Sequence, residues 1–267
     1  MTELDRDTAL RPLGDGRYEG AVAEGWNTPR GPLGGYVMAI LLRGLIEEVG
    51  DPERQVRSLT VNFLRSPVPG PVTVKAVIER VGRSLTTTTG RLEQDGKAIA
   101  IAIATFSKPW PGSPEFFANP MPAVEPADPD GDSTQGLPPG KRPPFADRLR
   151  MQVRFGAPLF SGADSSQVGG WLGLRDPHPL DALAVALLTD AWFPAPWPRL
   201  TELTPAPTIE LSVYFRCPLP LPAGPLLGRF TSREARAGFF DEDGELWAPD
   251  GTLVAQSRQL ALLIPPH

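Results

Sequence analysis

The sequence predicts an α+β fold in which one unit, a helix enclosed by a curled antiparallel sheet, is made twice. Three observations predict it. The stretch LTVNFLRSP from Leu59, followed about thirty residues on by QDGKAIA, returns from Leu211 as LSVYFRCP and later PDGTLVA. A repeat of that length marks two copies of one supersecondary unit packed about a pseudo-two-fold axis. The segment Tyr36 to Val49, YVMAILLRGLIEEV, has helical length and is apolar over most of its circumference, which describes a helix surrounded by other structure. Strand-like runs with tight Gly-containing turns follow it, which is an antiparallel meander.

The elements follow in order. Arg17 to Glu24 reads as a short strand, and Trp26 to Gly35, rich in Gly and Pro, as a loop that ends where the helix begins. Strands are expected at Val56 to Leu64, Val72 to Arg80, Ser84 to Gln94 and Lys97 to Ser107, with turns at Val81-Gly82 and Asp95-Gly96. In the last run Ala98, Ala100, Ala102 and Ala104 share one face and Ile99, Ile101 and Ile103 the other, because strand side chains alternate. A row of alanines lets a helix backbone approach closely. From Lys108 to Pro144 the chain is crowded with Pro, Gly and Asp and has no periodicity, which reads as a semi-extended linker. The second half repeats the order. Strands are expected near Met151 to Phe155 and at Gln167 to Leu174, a helix from Leu180 to about Trp192, and strands at Thr208 to Arg216, Leu226 to Glu234, Gly238 to Trp247 and Thr252 to Leu263. The chain thus divides into an N-terminal repeat at 1–108, a Pro-rich linker at 109–144 and a C-terminal repeat at 145–267.

The totals exclude some partners. The 267 residues carry a formal net charge of −5 with no Lys/Arg run, which argues against nucleic acid or an anionic membrane surface. A single cysteine, Cys217, excludes an internal disulfide framework and suits a reducing compartment. The start MTELDRDTAL lacks the basic and apolar regions of a secretory signal, and no later run reaches the roughly 20 apolar residues of a membrane span. The expectation is a soluble, cytoplasmic protein.

Where the copies differ chemically is where a site is sought. Aligning LLRGLI with LLTDAW, RSLTVNF with IELSVYF and DGKAIAIAIAT with DGTLVAQSRQL pairs Gly44 with Asp190, Val56 with Thr208 and Ala104 with Gln259. The first copy is bland at all three positions. The second carries a carboxylate on an apolar helix, a hydroxyl where a strand starts and an amide in the small-residue row. A buried carboxylate is costly without hydrogen bonds, and Thr and Gln can supply them.

A helix wrapped by a curled antiparallel sheet, made twice, resembles the double hotdog fold over nearly the whole chain outside the linker. Asp190 in LLTDAW, Thr208 in PTIELSVYFRCP and Gln259 in DGTLVAQSRQ, with GPLGGY, LTVNFLRSP and VGRSL in the first half, resemble the acyl-CoA thioesterase II family. The resemblance implies hydrolysis of acyl-CoA to a free acid and coenzyme A, without metal or any cofactor beyond the coenzyme A of the substrate. Asp190 would be the general base, with Thr208 and Gln259 holding the attacking water. Amides at the glycine-led helix start, Gly34, Gly35 and Tyr36, are candidates for the oxyanion, since a first helical turn leaves donors unpaired. Arg83 and Ser84 in VGRSL are candidates for a phosphate of coenzyme A. Hotdog relatives commonly assemble further, so a homodimer is implied.

Each assignment has a plainer reading. Asp190 could end its helix or pair with Arg199, and Gly34-Gly35 could serve helix packing alone. Thr208 shares strand parity with Glu210 and Ser212 and could face solvent, in which case Ser212 would replace it. Gln259 shares parity with Ala255 and Ala261, which suggests an inward face. Arg83 could be a solvated charge beside a turn. Cys217 precedes a proline and has only His178 and His267 as imidazole partners in the sequence, so it reads as a structural thiol, and no GxSxG elbow or metal-ligand cluster occurs. The alternative function is a non-catalytic acyl-CoA or acyl-lipid binding protein, for which the helix and Trp171, Trp192 and Trp197 supply apolar lining. A hotdog dehydratase is a distant third.

Overall fold

A short helix that the sequence reading leaves unassigned, α1 (Glu3–Asp7), opens the chain, capped by the Thr2 hydroxyl accepting the Asp5 N–H. The structure is a computed structural model that describes residues 1–117, 119–133 and 143–265. A hairpin of β1 (Arg11–Gly14) and β2 (Arg17–Val22) and a two-residue pair, β3 (Asn27–Thr28) and β4 (Gly31–Pro32), lead to the long helix α2 (Gly34–Val49). Because α2 is apolar nearly all round, its residues from Gly35 to Leu42 are all buried. It stops at Gly50, whose φ of 59° is the left-handed conformation that glycine adopts without a Cβ clash.

Strands β5 (Gln55–Phe63), β6 (Gly70–Val81), β7 (Leu85–Gln94) and β8 (Lys97–Ser107) follow. The Asp95-Gly96 turn has both residues at positive φ, as a two-residue hairpin requires. Ala98, Ala100, Ala102 and Ala104 are buried and Ile101 and Ile103 are exposed, but Ile99, expected to share the outer face with them, is buried in the core cluster. The second copy supplies β9 (Leu149–Phe155), β10 (Gln167–Leu174), the short helix α3 (Ala182–Leu188), β11 (Thr208–Phe215), β12 (Leu226–Thr231), β13 (Ala235–Arg236), β14 (Phe239–Trp247) and β15 (Leu253–Leu262). Neighbours in the first copy run β1-β2-β6-β7-β8-β5 and in the second β9-β10-β12-β14-β15-β11, the same order twice.

The two sheets are one. Strand β5 pairs antiparallel with β11, and the register centres on Thr60 opposite Ser212, which are each other's counterparts in the repeat; their hydroxyl oxygens are 2.8 Å apart. The seam therefore carries the pseudo-two-fold axis, and α2 and α3 pack against each other on one side of the continuous sheet.

Linker residues 121–127 lie against the second copy. Met121, Val124 and Ala127 pack on a cluster of Trp171, Leu227 and Trp247, and the Trp171 Nε1–H donates to Glu125 O at 2.8 Å. Linker residues 134–142 and the terminal His267 lie outside the described residues.

Candidate active site

The expected helix from Leu180 to Trp192 is shorter in the structure, and the shortening places the acid. Asp181 caps its start by accepting the Ala184 N–H at 2.9 Å, and Thr189 donates its hydroxyl to Ala186 O at 2.7 Å as the last turn closes. Pro194 and Pro196 then bar continuation. Asp190 accordingly sits in the turn just beyond α3, not within the helix.

That turn meets the start of α2. A Cβ on Gly35 would lie 2.5 Å from Leu187 O and 3.0 Å from Asp190 Cβ, and one on Gly34 would lie 2.9 Å from Asp190 Oδ2. Only glycine permits this approach. The Gly35 N–H donates to Asp190 Oδ2 at 2.7 Å, so the open first turn of one copy's helix binds the carboxylate of the other. Arg199 does not pair with this acid; its guanidinium donates to Asp164 O.

Thr208 reaches the site through an irregularity that strict alternation does not foresee. In the β11–β15 register Thr208 faces Ala261 while Glu210 faces Leu260, so a bulge at Ile209 reverses parity between them. Thr208 thereby turns inward with Leu211 and Val213, while Glu210 and Ser212 face outward, and Ser212 donates to Glu210 at 2.7 Å. The first copy has the same bulge between Val56 and Ser58, which puts Val56 in the equivalent inward place. The Thr208 hydroxyl lies 3.0 Å from Gln259 Oε1 and 3.5 Å from Asp190 Oδ1. Gln259 points inward from β15, as its parity with Ala255 and Ala261 indicated.

A fourth polar side chain, outside the sequence expectations, joins the cluster. Glu242 on β14 sits opposite Gln259 in the sheet and is buried, at 6% exposure. Its Oε1 accepts the Gln259 Nε2–H at 2.8 Å and its Oε2 accepts the Ala195 N–H at 2.6 Å. Extending the repeat alignment one strand back pairs it with Thr88, since Gly90 matches Gly244 and Leu92 matches Leu246. The signal is of the same kind as for the other three: the second copy carries the more polar residue of the pair, here a carboxyl against the Thr88 hydroxyl.

The two acids are held above their ordinary range. Burial raises Asp190 to about 6, against the lowering effect of the Gly35 amide and the Thr208 hydroxyl. Burial also raises Glu242 to about 8, with the nearby Asp190 adding to the shift and the Ala195 and Gln259 donors opposing it. Asp190, Thr208 and Gln259 are each partly buried, whereas Glu242 behind them is buried.

The remaining candidates separate from this cluster. The Gly35 amide is committed to Asp190 and the Tyr36 amide to Leu33 O at 3.1 Å, which leaves Gly34, whose N–H opens the helix, as the amide of the three for an oxyanion. The Tyr36 side chain is structural: its ring stacks on Trp26 and its hydroxyl donates to Asp7 O at 2.6 Å. Arg83 and Ser84 form the β6–β7 turn, level with Ser107 and Gln55. Phe63, beside Gly34, is at the other end of β5, eight residues or roughly 26 Å away. The chain does not bring Arg83 and Ser84 to the acid. Arg54 holds their turn instead, donating to Gly82 O and Arg83 O.

Trp192, Phe193 and Trp197, which follow Asp190 in the chain, form an aromatic cluster with Phe160 and Phe230. Trp171 is not part of it, because it is spent beneath the linker. His178 is buried against the N-terminal segment, with Nδ1 2.6 Å from the Thr2 hydroxyl, and the buried Cys217 thiol is raised by burial, as a structural thiol should be. Among the described residues, no helix is long and apolar enough to cross a membrane.

Two family models match the chain: the acyl-CoA thioesterase N-terminal domain at residues 22–107 and the acyl-CoA thioesterase C-terminal domain at residues 122–263. An uncharacterized protein of Mycobacterium tuberculosis is 28% identical over 292 residues, covering 96% of each chain. Among solved structures, a hot dog fold protein of Alicyclobacillus acidocaldarius superposes with a TM-score of 0.84 at 28% identity, covering 99% of this chain and 98% of that one. An acyl-CoA thioesterase II of Mycobacterium marinum superposes at 0.76 with 25% identity, covering 98% and 97%. The fold is a double hotdog.

Proposed function

The chain belongs to the acyl-CoA thioesterase family, and from that premise we propose that it hydrolyses acyl-CoA thioesters to a free acid and coenzyme A, with Asp190 as the base that activates water. The observation that carries this reading is the convergence of Asp190, Thr208 and Gln259 from three separate segments of one copy, while the other copy has Gly44, Val56 and Ala104 in those places. Structure alone would be satisfied by the bland set.

In the mechanism, the Gly35 amide occupies Asp190 Oδ2 and leaves Oδ1 for the attacking water. Thr208 and Gln259 hold that water so that a lone pair points at the thioester carbon. The water oxygen bonds the carbonyl carbon as Asp190 Oδ1 takes its proton. Charge develops on the former carbonyl oxygen, where the Gly34 N–H and the positive end of α2 stabilise it. The C–S bond then breaks, the carbonyl re-forms, and the departing thiolate takes the proton back from Asp190. No covalent acyl-enzyme is formed.

The test is release of free thiol from a panel of short, medium, long and aromatic acyl-CoAs. Turnover on at least one member of the panel supports hydrolysis. Tight binding of acyl-CoA with no release on any of them overturns it in favour of a binding protein.

A further inference from the structure

Gln259 can hold a water in one of two ways, and nothing in Gln259 itself decides between them. A side-chain amide presents an acceptor oxygen at one end and a donor nitrogen at the other, and the two ends have nearly the same shape. Glu242 is the neighbour that distinguishes the ends. Its Oε1 accepts from Gln259 Nε2 at 2.8 Å, which turns Gln259 Oε1 toward the Thr208 hydroxyl 3.0 Å away.

The other carboxylate oxygen is equally committed. Glu242 Oε2 accepts the Ala195 N–H at 2.6 Å, and Ala195 lies in the turn between Phe193 and Trp197, inside the aromatic cluster that follows Asp190. One buried carboxyl thus ties the amide of the candidate site to the loop beside it. A buried acid is expensive, and the first copy fills the same place with Thr88, fully buried at 0% exposure. The fold therefore does not require a carboxyl there.

We propose that Glu242 is a positioning residue for thioester hydrolysis: by accepting the Gln259 and Ala195 N–H groups it fixes the Gln259 amide with its oxygen toward Thr208 and the attacking water. The inference rests on the hydrolase reading of the Asp190 site. The isosteric change Glu242→Gln removes one acceptor and places an NH2 against a donor. If the Ala195 bond is kept, Gln259 must turn its own oxygen to the new NH2 and its nitrogen to Thr208.

The experiment compares wild type, E242Q, E242T, Q259A and E242Q/Q259A for kcat, KM and thermal unfolding at pH 9, above the raised Glu242 value of about 8 so that the wild-type group is the ionised acceptor, with E242T chosen because Thr is what the first copy carries. E242Q and E242T fold, lose about 10- to 100-fold in kcat and keep KM within about twofold, the split expected when only water placement is disturbed. In the Q259A background E242Q costs less than about threefold further, because it acts through the missing amide. The Gln259 side-chain NH2 resonances, assigned by their loss in Q259A, shift in E242Q without any turnover being needed. Unchanged kcat, a loss that multiplies fully onto Q259A, or failure of both variants to fold would overturn the proposal. Wild type releasing no coenzyme A would sink the hydrolase reading and this proposal with it, whereas an active wild type, a dead Asp190 variant and a fully active E242Q would sink the role of Glu242 alone.

Discussion

The Gly35 amide donates to the Asp190 carboxylate at 2.7 Å across 155 positions of chain. The earlier copy supplies the anchor and the later copy the acid, so neither copy contains the site alone. The anchoring helix start must stay small, and the acid-bearing turn must stay short enough to meet it.

Replacing Gly35 with Ala should therefore damage both stability and turnover. The new Cβ would fall 2.5 Å from Leu187 O, and backbone cannot swing aside as a side-chain tip can. A loss of about 1–3 kcal/mol in denaturant unfolding is expected, as for other overpacked sites, together with a fall in kcat as Asp190 is displaced. Wild-type stability in G35A would show that α2 and the Asp190 turn do not meet so closely.

The bulge at Ile209 makes a discriminating pair of variants. Thr208→Val removes a hydroxyl 3.0 Å from Gln259 Oε1 and should lower kcat about 10- to 100-fold. Ser212→Ala, on the outer face, should leave kcat within about twofold of wild type. The reverse ranking, measured by thiol release, would put the strand in the other register.

The pH profile follows from the Asp190 environment. Burial raises its pKa to about 6, and a base works only when deprotonated, so kcat/KM should fall tenfold per pH unit below that value, with a second, smaller change near 8 where the neighbouring Glu242 ionises. The Thr208 hydroxyl pulls the same pKa down, so T208V should move the acid limb upward. A profile with no break between pH 5 and 7, or a limb that moves down in T208V, would exclude Asp190 as the titrating group.

Much of this was legible in the chain. The repeat, the enclosed helix and the alternation from Ala100 to Ala104 express local periodicities, and the structure keeps them, while Ile99 departs from the pattern by being buried. What escaped depends on contacts or irregularities. Thr208 seemed to share a face with Ser212 because alternation was carried through a bulge that a single sequence does not announce. Gly35 looked like an oxyanion donor because its use by Asp190 is a contact between distant segments. Trp171 looked like site lining until the linker was found lying on it. Glu242 differs from these: the repeat alignment that pairs Ala104 with Gln259 also pairs Thr88 with Glu242 on the adjoining strand, so its signal lies in the sequence itself.

The most direct test is the rate of coenzyme A release by D190N beside wild type, on whichever acyl-CoA wild type turns over. Asparagine keeps the shape of the carboxylate and cannot take the proton, so kcat should fall about 10²- to 10⁴-fold while KM and the unfolding midpoint stay close to wild type. D190N hydrolysing acyl-CoA at the wild-type rate would contradict the account at its base.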